Sequence, residues 1–246
     1  MQSSMVNQQP TTLAPGRHIK VLVVEGGPEP DDQLGPLLES QGYEVKAVGD
    51  GPTALEYARA WSPDLLVLDV NLPGGVDGNE VCRRLRLFSD AYVIMVTARA
   101  DEVDMLVGLA VGADDFMTRP FSERELLARI NVLMRRPRAG FVVDDEPERQ
   151  VRDHGSLSID LDAREVTIDG VEVHLTRIEF DLLEALTRRP SVVSSRQVLL
   201  EQVWGPMWVG DDHVVDVHIA NLRKKIDTGR NGSLIKTIRG VGYRMT

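Results

Sequence analysis

Four short stretches carry the residues with chemistry in them: VLVVEGG (21–27), LLVLDVN (65–71), VIMVTAR (93–99) and FMTRPF (116–121). Each is an apolar run that ends in a polar residue, namely Glu25, Asp69, Thr97 and Arg119. Such runs read as buried parallel strands. In doubly wound folds the carboxyl ends of these strands meet on one rim, which is where ligands sit. Two carboxylates, a hydroxyl and a guanidinium on one rim are the parts needed to hold a divalent cation and a phosphoryl group. The plainer reading makes each residue a cap for the helix that follows. Four in succession favour a shared site.

Bringing those ends together takes a particular set of elements. Besides the four runs, YEVKAVG (43–49) reads as a short strand. Between the strands lie QLGPLLESQG, GPTALEYARAWSP, NEVCRRLRLF, EVDMLVGLAVG and SERELLARINVLMRR, each with helical periodicity. Five strands interleaved with five helices predict an α/β doubly wound, five-stranded parallel sheet over residues 18–136. Ahead of it, residues 1–17 are polar and are expected to form a disordered tail. After it, residues 137–154, within PRAGFVVDDEPERQVRDHG, are charged and aperiodic and read as a linker.

From residue 155 to 246 the pattern changes. LSIDLDAREVTIDGVEVHLT alternates at period two around an Asp169-Gly170 turn, so an antiparallel, hairpin-rich sheet is expected. Helices follow, and LIKTIRGVGYRM closes the chain as strand–turn–strand, giving an α+β domain. In DDHVVDVHIANLRKKID, Val215, Ile219, Leu222 and Ile226 form a core-facing stripe. Val214, His218, Asn221 and Lys225 lie on the adjacent arc. An amide, an imidazole and lysines there suit base edges and phosphates. An ordinary amphipathic helix with a basic end is the alternative. The hairpin after it tips the balance, because Gly240 and Gly242 would push Arg239 outward, toward a minor groove.

Composition agrees with this division of labour. The formal net charge is −10, but His218 to Thr246 holds seven Lys or Arg against Asp227 alone, a local +6. One cysteine, Cys82, excludes an internal disulfide and suits a reducing, cytoplasmic location. No apolar run approaches the roughly 18 residues of a membrane span. No membrane partner is expected. EGGPEP lacks the spaced glycines of a dinucleotide site. Asn71, two residues after Asp69, is not the second acid that phosphoaspartate phosphatases want, so no enzymatic activity is expected.

The wording DVNLPGGVDGNEVCRRLR, VTAR and GADDFMTRPFSERELLARI resembles the receiver domain of two-component response regulators. LTRIEFDLLEALTRRP, VDVHIANLRKKID and TIRGVGYR resemble the winged helix-turn-helix effector of the OmpR/PhoB family. The resemblance implies that Asp69 accepts a phosphoryl group from a sensor histidine kinase, with Mg²⁺ held by Glu25, Asp69 and Asn71 and with Thr97 as the switch. It implies double-stranded DNA contacts from His218, Asn221, Arg223, Lys225, Thr237 and Arg239. It also implies a homodimer in which Asp114, Asp115, Glu125, Arg129 and Arg136 pair across a two-fold contact, with RNA polymerase as a further partner. Trp204 and Trp208, near the loop before the recognition helix, read as packing residues or as a polymerase contact.

This chain departs from the family where the phosphoryl chemistry is done. The first strand's paired acids are Glu25 and Gly26 here, and Gly26 has no side-chain oxygen to offer a metal. The family lysine is Arg119, a planar fork in place of an ammonium. Phe116 stands where a tyrosine is common, Met105 where a basic partner for Glu125 is usual, and the loop LPGGVDG is one residue longer. The pattern predicts a sequence-specific DNA-binding transcription regulator, dimeric on repeated half-sites, with a degenerate receiver that acts without phosphorylation. The alternative is a conventional Mg²⁺-dependent regulator phosphorylated on Asp69.

Overall fold

The computed structural model describes residues 18–26, 34–98, 102–134, 150–206, 208, 212–228 and 232–246. In the N-terminal half β1 (Lys20–Val24), β2 (Glu44–Val48), β3 (Leu65–Asp69), β4 (Tyr92–Thr97) and β5 (Asp115–Thr118) form one parallel sheet in the order β2-β1-β3-β4-β5. The helices α1 (Leu34–Ser40), α2 (Gly51–Trp61), α3 (Gly78–Leu85), α4 (Glu102–Ala110) and α5 (Glu123–Met134) alternate with them. The strand order reverses between β1 and β3, so their carboxyl ends flank the crevice where such sheets bind ligands. That places Glu25 beside Asp69. The strands that carry the rim residues are buried, with β1, β3 and β4 almost wholly apolar inside. Caps set the neighbouring helices. The Asp50 side chain accepts from the Thr53 N–H at the start of α2, and Asp77 accepts from Glu80 N–H at the start of α3, both at 2.8 Å.

In the C-terminal half β6 (Val151–His154), β7 (Leu157–Asp160), β8 (Glu165–Ile168) and β9 (Val171–Glu172) form an antiparallel sheet in chain order. Asp169 and Gly170 both have positive φ, 50° and 79°, as the tight β8–β9 turn requires. Three helices follow: α6 (Arg177–Arg188), opened by a Thr176–Glu179 capping box, α7 (Arg196–Val203) and α8 (His213–Ile226). A small sheet of β10 (Ser194–Ser195), β12 (Gly242–Met245) and β11 (Ile235–Ile238) ends the chain. The architecture is that of a parallel α/β domain followed by a winged helix. Val215, Ile219, Leu222 and Ile226 of α8 are fully buried, as the helical stripe anticipates.

One boundary differs from expectation. Residues 151–154, read as the end of a linker, are strand β6, which pairs antiparallel with β7. Their own alternation is weak and highly charged, and the pairing comes from the partner strand. The remainder of that linker up to residue 149, and the tail at 1–17, lie outside the described residues. No helix among the described residues is long and apolar enough to cross a membrane.

Candidate functional site

At the rim of the parallel sheet, the Arg119 guanidinium forms an ion pair with the Glu25 carboxylate. Asp69 is half-buried, and its Oδ1 accepts the Asn71 backbone N–H at 2.8 Å. Burial pushes the Asp69 carboxyl up, against that hydrogen bond and the nearby Arg119 charge. Thr97 is buried at the end of β4, in register with Thr118. Phe116 is half-buried, and α4 lies on it at Gly108, where a Cβ would stand 3.4 Å from the ring. The structure thus brings Glu25, Asp69, Thr97 and Arg119 to one rim. Gly26 faces the β3–α3 loop. A Cβ there would stand 2.9 Å from Leu72 Cα and 3.1 Å from the Asn71 carbonyl oxygen, and would collide with Pro73 Cδ. The loop backbone occupies the space a side chain at position 26 would need. Glu29, Asp31 and Asp32, acids of the β1–α1 loop, lie outside the described residues.

The charges expected to pair across a two-fold contact are paired within the chain. Arg86 donates to Asp114 Oδ2 at 2.7 Å and to the carbonyls of Ala91 and Gly112. Arg129 bonds both Asp115 oxygens at 2.9 and 3.0 Å and reaches Glu125 at 2.8 Å. Asp114, Asp115 and Arg129 are buried, and burial outweighs pairing for the acids, pushing both up to about 6. Met105 is half-buried against the core rather than at the surface. In this arrangement Asp114, Asp115 and Arg129 tie the start of β5 to the end of α3 and to α5, while the Glu125 side chain stays partly exposed. Arg136 lies outside the described residues.

The arc of α8 read as facing bases is covered as well. His218 is 1% exposed and Asn221 8% exposed. Asn221 Nδ2 donates to the Leu109 carbonyl of α4 at 3.1 Å. Trp204, fully buried after α7, donates from Nε1 to the Asp114 carbonyl at 3.3 Å and packs, tilted, with its ring centre 5.6 Å from that of His218. Trp208 packs at 5.7 Å from Trp204 and lies under the Arg129 guanidinium. Both tryptophans are therefore packing residues here. Two further expected DNA contacts are engaged inside the domain. Arg223 donates to the Ile235 carbonyl and to Thr237 Oγ1, and Lys225 bonds Glu179 at 2.7 Å. The wing residues Thr237 and Arg239 are exposed.

Residues 21–131 match the family described as "Response regulator receiver domain", and residues 170–245 match "Transcriptional regulatory protein, C terminal". The chain is 41% identical over 226 residues to a "DNA-binding response regulator MtrA" of Mycolicibacterium smegmatis, covering 92% of this chain and 96% of that one. It is 43% identical over 227 residues to the "Sensory transduction protein RegX3" of Mycobacterium tuberculosis, covering 92% and 98%. The chain belongs to the OmpR/PhoB family of response regulators. Among solved structures, a point mutant of RitR is 30% identical with a TM-score of 0.69, covering 92% of this chain and 98% of that one.

In this response regulator, then, the receiver covers the arc of α8 expected to face DNA, and the sequence shows no sign of it. A second bridge does the same work. Arg177, at the start of α6, forms a two-pronged pair with Asp90 of the α3–β4 connection, at 3.0 and 3.2 Å, and stacks 4.5 Å from the Tyr92 ring. No local motif marks Asp90, Arg177 or Arg86, because each acts through a partner distant in sequence.

Proposed function

We propose that this response regulator is a cytoplasmic, sequence-specific transcription regulator that binds double-stranded DNA and works from a degenerate receiver, without phosphorylation. The observation that supports the second part lies on the metal side of the phosphoacceptor pocket. Arg119 takes up Glu25, and the β3–α3 loop sits on Gly26. Mg²⁺ needs near-octahedral oxygen ligands. Among the described residues that loop leaves two acidic side chains at the rim, one of them already paired, and the set does not fit the ion.

DNA binding rests on the basic end of the chain, the exposed wing and the names of the relatives. Arg239, exposed on the wing, is the residue we assign to a groove, while Arg223 braces the strand that carries Thr237. His218 and Asn221 reach bases only after the two domains part, so the arrangement described is the low-affinity state. Opening also frees the α4–β5–α5 face for homodimer formation on repeated half-sites. RNA polymerase is the partner that transcriptional control then requires. Asp69, half-buried and still at the end of β3, favours a second reading, in which a sensor histidine kinase phosphorylates it conventionally.

Operator binding by fluorescence anisotropy at fixed salt separates the two. Mg²⁺ with beryllofluoride, a phosphoryl mimic, should leave the affinity of wild type and of Asp69→Ala unchanged. A gain in wild type that Asp69→Ala lacks would establish the conventional reading.

A further inference from the structure

The covered face of the recognition helix contains an imidazole in an unusual setting. His218 sits against the receiver between Trp204 and the start of β5, and its Nε2 has no hydrogen-bond partner among the described residues. The groups that face it are mostly cationic or neutral. From the end of α3 comes Arg86 and from α8 itself Lys225, both disfavouring a charged ring, while the Asp114 carbonyl just ahead of β5 favours one. Lys225 is held by Glu179 of α6, and Asp114's carboxylate is engaged by Arg86. From α4 the nearby contact is the Leu109 carbonyl, already used by Asn221. Arg129 of α5 lies beyond Trp208. A proton on this ring would be a third positive charge in a dry contact that offers it no carboxylate of its own.

We propose that protonation of His218 drives the receiver and the DNA-binding domain apart, releasing the recognition helix in mildly acidic conditions. The proposal rests on the reading of the closed arrangement as the low-affinity state. The sign follows from linkage. Burial and the two cations push the closed-state His218 down to about 3, whereas a solvent-exposed histidine titrates near ~6.5. The closed state therefore has its full stability above the open-state value and loses it progressively as pH falls below that value. Between pH 7.5 and 5.5 the open-to-closed ratio should rise about tenfold. Asp114 titrates in the same range, pushed up to about 6. Its side-chain partners, Arg86 and the Val93 N–H, both belong to the receiver and stay with it on opening. The influences on it from Arg177 and Glu179 across the interface have opposite signs. Burial is the largest influence on Asp114, and any loss of it on opening acts against His218, so the His218 variants identify the group that responds.

The test is an interdomain distance in the full chain. Cysteines introduced at the exposed positions Glu56 and Glu165 would carry a donor and an acceptor dye. The native Cys82 is buried, with its thiol pushed up to about 11, and will not compete for label. Transfer efficiency should fall between pH 7.5 and 5.5 in wild type and stay flat in His218→Phe and His218→Gln. An unchanged distance in wild type, or an equal fall in both variants, would overturn the proposal. Operator affinity measured on the same samples keeps the two ideas apart. If the domains part on acidification and wild-type affinity does not rise, it is the low-affinity reading of the closed state that fails.

Discussion

At position 26 the chain carries no side chain, and the β3–α3 loop occupies the space one would need. Putting the family's acid back should therefore not rebuild a metal seat. Gly26→Asp forces a carboxylate against Leu72 and Pro73, and overpacking of this kind costs about 1–3 kcal/mol. The expected outcome is a lower melting temperature that Mg²⁺ does not restore. A Mg²⁺-dependent rise in melting temperature would show that the loop yields and the seat survives. The missing oxygen was legible in the sequence. The path of the loop was not, because Gly74 and Gly75, both at positive φ, leave its course to tertiary contacts rather than to local preference. The same limit applies at Arg223. The family resemblance implied a DNA contact there, and only the fold shows that its guanidinium bonds the Ile235 carbonyl and Thr237.

Among the elements, the five parallel strands and five helices were legible because burial on both faces and helical periodicity leave strong local marks. The roles of the charged residues on β5 and α5 were not. Asp114, Asp115, Glu125 and Arg129 are written in the sequence much as surface charges would be, yet three of them are buried. Removing Arg129 should distinguish a buried brace from a surface pair. Arg129→Ala leaves Asp115 without its partner and should destabilise the receiver by about 3–5 kcal/mol, the cost of an uncompensated buried charge, lowered by as much as Asp115 can take up a proton. Glu125 has a side chain 39% exposed, so Glu125→Ala should cost less than ~1 kcal/mol. Urea denaturation followed by a receiver-specific signal, such as Trp61 emission with Trp204 and Trp208 replaced by Phe, measures both. Equal costs would place Arg129 at a solvated face.

For the molecule as a whole, the decisive contacts join residues far apart in the chain. Trp204 bonds Asp114, Asn221 bonds Leu109, and Asp90 holds Arg177. Helical periodicity identified the His218–Asn221 arc as a second functional face, but it could not say whether DNA or the receiver would cover it. Both partners offer hydrogen-bond acceptors, and the basic end of α8 suits either. The Asp90–Arg177 pair offers a way to shift the balance without touching α8. Asp90 has a side chain 56% exposed, so Asp90→Ala should leave the receiver intact. It deprives Arg177 of the two-pronged pair that keeps that guanidinium under the receiver. A partly exposed pair is worth ~1 kcal/mol or less, so operator affinity should rise by up to about fivefold. Arg177→Ala should raise it further, because the stacking on Tyr92 is lost as well. The double variant should bind no more tightly than Arg177→Ala alone, since the pair acts as one unit. Additive gains would mean that the two side chains restrain the domains through separate contacts, and no gain in either would remove this bridge from the control of DNA binding.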